Sequence, residues 1–560
     1  MGSLPSKAAG SPTDGGWDSG RDLLVVLGRG GESLVHALRA RGQVRILLFV
    51  EPGTSVAELP EHVRVATNEA QLFEAVLALS GRSPGRITLR CTGDPWATRE
   101  RAEATARVLK ESVASRVLQV STVEKAGKTW LLQGLANARA LAEHPSIALL
   151  RGTFTGRPCV IVSPGPSLSK SLPHLPALRD RALIVSGTHA LHALQTAGVP
   201  PHLIVAADPG DLRRHFERID LSAVDALVVG ATCRSELFAL PARRRFGFAS
   251  NGRIDDWLFC ALGEEAGLPS GGSVACSQFS LALHLGCDPI LFVGQDLSFT
   301  DRFYAEEGLD GDAHVEASGR DSFVLTKEGS ANGPGTLRAD GRLGFTVPQA
   351  VVEVAGYYGG RVRTTPTLAS FLAWFEAKAL SLGGAVRLWN CTEGGAAIRG
   401  MEPLPLAEAR RRLWDEPLDA GALLERAVSG LDRPARLARM AEHLGRARGA
   451  LDLCAERAAR CRLLAHGALT DARRREELGR AEKDLSSALS PLRLFVSLVA
   501  QSEISAAQEE ARGARDLASN LHASRRLFEA VRGACAFLRK PLDRALGALR
   551  SRAHDPRAAG

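Results

Sequence analysis

The chain has 560 residues, a net charge of +8 and 45% hydrophobic residues, which is typical of a folded protein with two to four domains. Only 5% of its residues are aromatic, and no basic–aromatic interleaving indicates a nucleic-acid-binding module. No run approaches the roughly 20 apolar residues that span a bilayer. The ten cysteines include no CxxC pair, and the N-terminal residues have no apolar secretory core. We therefore predict a cytoplasmic protein with no membrane span and no bound nucleic acid.

The N-terminal part is predicted to be a tail followed by an α/β domain. Residues 1–20 are rich in Gly, Ser and Pro, which predicts a disordered tail. Residues 21–150 alternate strand and helix patterns, which predicts an N-terminal Rossmann-like domain. The turn Gly28–Gly31 and a strand end at Glu51 match half of a dinucleotide-binding fingerprint. A nucleotide site and a purely structural turn both remain open for this turn.

Residues 151–400 carry a stronger pattern of short apolar runs. Each run is bounded by Gly, Asp or Pro, and the runs are Cys159–Val162, Ala182–Val185, Leu203–Ala206, Ala226–Val229 and Ile290–Val293. Continuous apolar strands are typical of a parallel sheet that is buried on both faces. Ligands of such sheets bind beyond the carboxyl ends of the strands. We therefore predict a central catalytic domain here.

Two further regions complete the predicted organisation. Residues 301–345 have little periodicity and many Gly and Asp residues, which predicts a long functional loop. Residues 401–560 place apolar residues at helical spacing, which predicts an all-α bundle. The excess positive charge is concentrated in these last residues, either as solvated helix faces or as a docking surface for an acidic partner. The predicted fold class is therefore α/β, with two Rossmann-like parallel-sheet domains followed by an all-α helical bundle.

Small, hydroxyl and carboxylate residues follow the predicted central strands. Others of these residue types stand at the start of the predicted helix that precedes the strand Ile290–Val293. Together they are Gly165, Pro166, Ser167 and Leu168; Ser186, Gly187, Thr188 and His189; Asp208; Gly271, Gly272 and Ser273; and Gly294, Gln295 and Asp296. Because carboxyl ends of parallel strands share one edge, we predict that they form one binding site, to which we add Tyr304 from the loop.

The residue types in this set predict binding of an anionic ligand. Glycines let a ligand approach the backbone, and N–H groups at helix starts near Ser167 and Ser273 favour a phosphate. Asp208 and Asp296 are suited to binding ribose hydroxyls, to holding a divalent metal or to acting as a base. His189 is a further catalytic candidate. Helix capping and turn formation remain the alternative for each residue taken singly.

Four motifs occur in an order that resembles a known family. They are VIVSPGPSLSKSLPHL, GVPPHLIVAADPGD, SGGSVACSQFSLALHLGCDPILFVGQDLSFTDRFYA and NCTEGGAAIRG. This order resembles the family that joins motility accessory factors, which are flagellin glycosyltransferases, to the archaeal 6-hydroxymethylpterin diphosphokinase MptE. The resemblance extends over about residues 157–400 and is looser elsewhere. The first motif is also similar to the strand-end turn of sialyltransferases that use CMP-sialic acid, so the resemblance implies a sialyltransferase-like central domain.

The resemblance implies transfer of a CMP-activated nonulosonic acid, a sialic-acid-like sugar, to Ser or Thr of flagellin or another surface protein. Gly165, Pro166, Ser167, Gly272, Ser273 and Asp296 would then line the donor site, with Asp208 beside them. Pro164 stands where the sialyltransferase pattern has Asn, so one amide is missing. An ATP-dependent pterin diphosphokinase using Mg²⁺ on Asp208 or Asp296 is an alternative, and a non-catalytic chaperone or scaffold is a third. No residue is assigned with certainty as a metal ligand.

Overall fold

The computed structural model describes residues 23–29, 45–54, 63–77, 87–250, 252–319, 322–327, 349–413 and 416–551. The tail predicted for residues 1–20 lies outside these ranges, as do Gly30 and Gly31. The strands are β1 (Leu23–Leu27), β2 (Arg45–Phe49), β3 (Val63–Ala66), β4 (Ile87–Cys91), β5 (Cys159–Val162), β6 (Leu183–Gly187), β7 (Leu203–Ala206), β8 (Ala226–Gly230), β9 (Arg245–Phe248), β10 (Ile290–Val293), β11 (Ala313–Gly319), β12 (Ser322–Lys327), β13 (Gln349–Ala350), β14 (Val352–Ala355), β15 (Arg361–Thr364), β16 (Leu388–Asn390) and β17 (Glu402–Pro403).

The α-helices, numbered over the same described ranges, lie between and after these strands. They are α1 (Glu69–Leu77), α2 (Arg99–Glu143), α3 (Leu168–Ser171), α4 (Leu191–Thr196), α5 (Arg213–Phe216), α6 (Glu236–Ala239), α7 (Arg253–Cys260), α8 (Val274–His284), α9 (Pro366–Ser381), α10 (Leu406–Arg412), α11 (Ala420–Ala427), α12 (Arg433–Gly467), α13 (Ala472–Leu489), α14 (Arg493–Val499), α15 (Gln501–Gly513) and α16 (Leu517–Arg550).

The N-terminal sheet has four parallel strands in the order β3-β2-β1-β4. This order corresponds to the start of a doubly wound nucleotide-binding sheet. All five residues of β1 are buried, as expected of a central parallel strand. The sheet is followed by the 45-residue helix α2, whose N-cap Thr98 accepts a hydrogen bond from the Arg101 N–H.

The central sheet has eight parallel strands in the order β17-β16-β10-β5-β6-β7-β8-β9. Every residue of β5, β6, β7, β8 and β10 is buried, which matches the continuous apolar runs of the sequence. The chain leaves β5 toward β6 on one side and returns to β10 on the other side. The strand order therefore reverses at β5, and this reversal positions the candidate site.

The loop predicted for residues 301–345 is partly wrong, because β11 and β12 form an antiparallel pair within it. Alternation along these strands buries Phe323 and Leu325 against Phe299 in a small separate cluster. The sequence pattern missed the pair because the sheet is small and its polar strand residues resemble those of a loop. Residues 328–348 lie outside the described ranges.

The C-terminal region is helical over the described residues beyond β17. The long helix α12 packs against α13 and α16, and α16 packs against α15 and α2. Buried residues recur at three- and four-residue spacing along α12, for example at Met440, Leu444, Ala447 and Leu451. The predicted fold class, two parallel-sheet α/β units followed by a helical bundle, is thus confirmed.

The helices and the central sheet share one continuous hydrophobic core. Leu141 of α2, Phe246 of β9 and Leu444 of α12 all belong to it. Helix α2 therefore joins the strands to the bundle through buried side chains.

In the described part of the chain, no helix combines the length and the apolar character needed to cross a membrane.

Candidate functional site

A cavity of about 380 Å³ lies at the carboxyl ends of the central strands, next to the reversal at β5. Its walls come from the turns after β5, β6 and β10, from the start of α8 and from α9. Open parallel sheets bind ligands at such a switch point. This cavity is therefore the candidate functional site.

Asp296 is the one carboxylate among the described residues that line the cavity. The Ser167 hydroxyl donates to Oδ2 of Asp296 over 2.7 Å, and the Ser167 N–H lies 3.3 Å from both carboxylate oxygens. Burial raises the pKa of Asp296 to about 6, while the hydrogen bonds from Ser167 and the positive charge of Lys170 oppose that rise. Asp296 is thus a buried carboxylate whose pKa lies close to neutral pH.

Two glycines allow the chain to approach Asp296 so closely. A Cβ on Gly165 would lie 2.1 Å from Oδ2 of Asp296, and a Cβ on Gly294 would lie 2.1 Å from the Ser163 carbonyl oxygen. Gly294 also has a backbone φ of +64°, which residues other than glycine rarely adopt. The glycine pattern of the sequence therefore reflects contacts within the site as well as room for a ligand.

We expect Gly165→Ala to displace the Asp296 carboxylate, because no atom fits 2.1 Å from a carboxylate oxygen. The rate of any reaction that uses this carboxylate should fall by about 10²-fold or more, since a misplacement of about 1 Å in a reacting group costs about that much. Gly93→Ala is the matched control, because a Cβ on Gly93 meets no atom within 4 Å. Equal turnover of both variants would show that the Gly165 contact is unimportant.

His189 lies on the cavity wall within a buried polar cluster. Its ring stacks on Tyr304 with centroids 5.4 Å apart and meets the edge of His215 at 4.2 Å. Burial, together with the electrostatic influence of the neighbouring His215 and Arg214 side chains, lowers the pKa of His189 to about 3. Its imidazole is therefore neutral near pH 7. Arg214 pairs with the buried Asp310, which lies 3.9 Å from His189 Nε2.

The structure brings most of the predicted site residues to the cavity. The predicted residues that line it are Gly165, Gly187, Thr188, His189, Ser273, Gly294, Gln295, Asp296 and Tyr304. Ser167 lies directly behind them, bonded to Asp296. Ser273 caps α8 by accepting a hydrogen bond from the Ala275 N–H, so the start of this helix faces the cavity. A Cβ on Gly272 would lie 3.3 Å from the ring of Phe371, so this glycine packs against that ring.

Other predicted residues lie outside the lining. Leu168 is packed in the hydrophobic core, and the buried Ser186 hydroxyl donates to the Gly187 carbonyl. Gly271 abuts Trp374, and Pro166 does not contact the cavity. Asp208 accepts a hydrogen bond from the Gly210 N–H over 2.7 Å, as a turn former does. Asp208 follows β7, which two strand spacings, about 10 Å, separate from β5.

Several lining residues do not follow a strand of the central sheet and were missed from the sequence. They are the aromatic residues Phe303, Phe323 and Phe371, the hydroxyl residues Thr365 and Thr367, and the amide residue Gln278. Gln278 and Phe371 lie inside helical patterns, where single-sequence reasoning assigns such positions to packing. Only the assembled fold turns them toward the cavity.

Pro164 has a defined structural role at the cavity rim. Its carbonyl oxygen accepts a hydrogen bond from the Ala305 N–H over 2.9 Å. A second contact nearby joins the Ser169 hydroxyl to Glu307 over 2.5 Å. The turn after β5 is therefore tied to the segment that carries Phe303 and Tyr304.

In the described part of the N-terminal glycine turn, the N–H groups of Gly28 and Arg29 are both engaged by the chain itself. Asp94, after β4, accepts hydrogen bonds from the Arg29 N–H over 2.5 Å and from the Trp96 N–H over 3.0 Å. These bonds lower the pKa of Asp94. The Arg29 side chain pairs with Glu51 over 2.9 Å. In the described part of this turn a carboxylate thus contacts the backbone N–H that a phosphate would use, which favours the structural-turn alternative.

Candidate metal ligands do not gather at either sheet edge in the described part of the chain. Among the residues that the structure describes, no group of three or more His, Cys, Asp and Glu side chains is arranged to hold a metal ion. At the cavity, Asp296 is the side chain through which a hard cation would be bound, with help from the ligand's own oxygens.

Comparison with known proteins agrees with the sequence motifs. Residues 133–302 match the family model described as 6-hydroxymethylpterin diphosphokinase MptE-like, which confirms the predicted resemblance for this part of the chain. Among solved structures, the MAf glycosyltransferase from Magnetospirillum magneticum AMB-1 aligns with 15% sequence identity and a TM-score of 0.45. That alignment covers 95% of this chain and 80% of the other. No curated protein matches the chain.

Proposed function

We propose that this chain, whose residues 133–302 resemble the MptE-like family, is a glycosyltransferase of the motility accessory factor type. It would transfer a CMP-activated nonulosonic acid to a Ser or Thr hydroxyl of a protein acceptor such as flagellin. The order of the four sequence motifs supports this choice of donor and acceptor. We propose a cytoplasmic location for the reaction, because nucleotide-activated donors are made there.

The observation that carries the proposal is the buried carboxylate of Asp296, the one carboxylate among the described residues that line the cavity. Asp296 has only 5% of its surface exposed, lines the cavity and has a pKa raised by burial to about 6. A base for a hydroxyl acceptor works best when its pKa lies near the working pH. One such base is sufficient for a one-step displacement at a sugar carbon, which needs no second carboxylate as nucleophile.

The proposed reaction is a direct displacement. The acceptor hydroxyl oxygen bonds to the anomeric carbon of the donor sugar, while the bond from that carbon to the phosphate oxygen of CMP breaks. The bonding electron pair leaves with the phosphate, and the hydroxyl proton moves to Asp296. The anomeric configuration is inverted.

The leaving phosphate is assigned to the start of α8, because Ser273 and Val274, which begin this helix, line the cavity and a helix N-terminus favours an anion. The neutral imidazole of His189 is assigned a hydrogen-bonding role rather than a charged one. Its pKa of about 3 places it in the neutral form at working pH.

The pH dependence of transfer follows from the Asp296 pKa. Because only the ionised carboxylate accepts a proton, we expect kcat/KM to fall about tenfold per pH unit below about pH 6. His189, with its lower pKa, should add no step between pH 5 and pH 8. Initial rates of sugar transfer between pH 4.5 and pH 8 would test this. A flat profile across this range would argue against Asp296 as the base.

A diphosphokinase acting on a pterin alcohol is the second candidate, because the matching family model carries that description. Melting temperatures of the full chain with CMP and with ATP plus Mg²⁺ separate the two functions, since a ligand of the native state raises the melting temperature. We expect the larger rise with CMP. A rise with ATP and Mg²⁺ alone would favour the kinase, and no rise with either nucleotide would favour a non-catalytic scaffold.

A further inference from the structure

Two glutamine amides form a polar floor in the cavity. Gln278 of α8 is 1% exposed, and its Nε2 lies 3.5 Å from the Val162 carbonyl oxygen and 3.4 Å from the Val185 carbonyl oxygen. Only the amino end of an amide donates hydrogen bonds, so these two carbonyls determine the orientation of the side chain. Its Oε1 has no hydrogen-bond partner among the described residues and is left as an acceptor for a ligand.

Gln295, which follows β10, presents the opposite end of its amide. It is 5% exposed and lines the cavity, and its Oε1 accepts a hydrogen bond from the Ser163 hydroxyl over 2.6 Å. Its backbone N–H donates to the Thr392 hydroxyl over 3.3 Å. No partner for its Nε2 occurs within the described ranges. Gln295 therefore offers a donor, and it is anchored at Ser163, next to the Val162 carbonyl that Gln278 contacts.

We propose that Gln278 and Gln295 together read the polar edge of the donor's nucleobase and select an amino-substituted pyrimidine over uracil. This inference rests on the proposed function, since it concerns the nucleotide bound at the same site. Gln278 Oε1 would accept from the exocyclic amino group, and Gln295 Nε2 would donate to the adjacent ring nitrogen. Asn and Gln side chains recognise adenine in DNA in the same way, because the amide oxygen accepts from the amino group of the base and the amide nitrogen donates to a nearby ring nitrogen.

The chemistry of the two amides favours a base over the charged parts of a donor. Both side chains are neutral, and phosphates and sugar carboxylates are bound mainly by backbone N–H groups and cations. The aromatic rings of Phe303 and Phe371 line the same cavity and offer faces for a planar base. With uracil, a carbonyl replaces the amino group and faces the Gln278 acceptor, which leaves both oxygens without a donor.

The test is calorimetric titration of the full-length chain with CMP and with UMP. For the wild type we expect CMP to bind at least tenfold more tightly than UMP. Gln295→Glu keeps an acceptor for Ser163 but removes the donor, so the affinity for CMP should fall by about tenfold to a hundredfold. Gln278→Met keeps the volume of the side chain and removes the acceptor, so the preference for CMP over UMP should fall to near one.

Gln133→Met is the matched control, because the Gln133 amide also donates to a backbone carbonyl, that of Pro209, but lies outside the cavity lining. It should retain the affinities of the wild type. If the wild type binds CMP while Gln278→Met retains the full preference for CMP or Gln295→Glu retains the full affinity for CMP, the base-reading role is overturned and the proposed function stands. If the wild type binds neither CMP nor UMP, the proposed function itself fails.

Discussion

Replacing Asp296 with asparagine is expected to lower the rate of sugar transfer by about 10²–10⁴-fold, which is the usual contribution of a positioned base. Asparagine has nearly the same shape, and its Oδ1 still accepts the Ser167 hydroxyl hydrogen bond. It has no basic site for the acceptor proton. Transfer to an acceptor peptide, measured with saturating donor, would report the loss in kcat.

The same substitution should not destabilise the fold, which separates loss of chemistry from loss of structure. Because burial raises the pKa of Asp296 from 3.8 to about 6, the stability that its neutral form provides is lost as the pH rises through about 6. At pH 7.5 the charged carboxylate therefore costs the folded state about 3 kcal/mol. Asp296→Asn should melt at or above the wild-type temperature at that pH.

Asp220→Asn is the matched control for this experiment. Asp220 is an exposed residue that caps the 3₁₀ helix Leu221–Ala223, and it accepts a hydrogen bond from the Ser222 N–H. Its substitution should leave the transfer rate within about twofold, as for a surface position away from the cavity. Full transfer activity in Asp296→Asn would remove Asp296 from the catalytic machinery, whatever the melting temperature.

Replacing Arg436 with alanine is expected to destabilise the protein more than any other single change considered. Arg436, near the start of α12, is 2% exposed and donates to the carbonyl oxygens of Leu141, Ala142 and His144 at the end of α2, over 2.8 to 3.0 Å. It also pairs with Glu264. Removing a buried charge and leaving its partners unpaired should lower the free energy of unfolding by about 3–5 kcal/mol.

Denaturant unfolding followed by circular dichroism would measure this loss. Arg446→Ala is the control on the same helix, since Arg446 is exposed and forms a pair with Glu442 one turn away. Such exposed pairs contribute about 0.3–0.5 kcal/mol. If Arg436→Ala and Arg446→Ala unfold at the same denaturant concentration, the contacts of Arg436 do not hold the bundle to α2.

The strands of the central sheet were predictable because the sequence of a doubly buried strand is distinctive. The fully apolar runs of β5 and β10 end in glycine turns, and the structure has strands at both places. The same reasoning placed Gly165 and Asp296 on one sheet edge, where they are in contact. The two-residue strand β17 has no such pattern and was missed.

Asp208 shows where reasoning from strand ends is insufficient. It follows a strand in the same way as Asp296, but β7 lies two strands from β5 whereas β10 lies directly beside β5. A single sequence contains no information on that order. Asp208 is not among the residues that line the cavity. Its place beside the nucleotide therefore stays a prediction.

The sequence by itself determined the layered α/β class, the helical C-terminal region and the turns that bear Gly165 and Asp296, because these depend on local periodicity and on residues adjacent in the chain. Only the tertiary structure decided which strand ends meet, that Gln278 and Phe371 face the cavity, and that burial raises the pKa of Asp296 to about 6. Strand order, side-chain direction and desolvation all depend on contacts between residues distant in sequence. Such contacts exist only once the chain has folded.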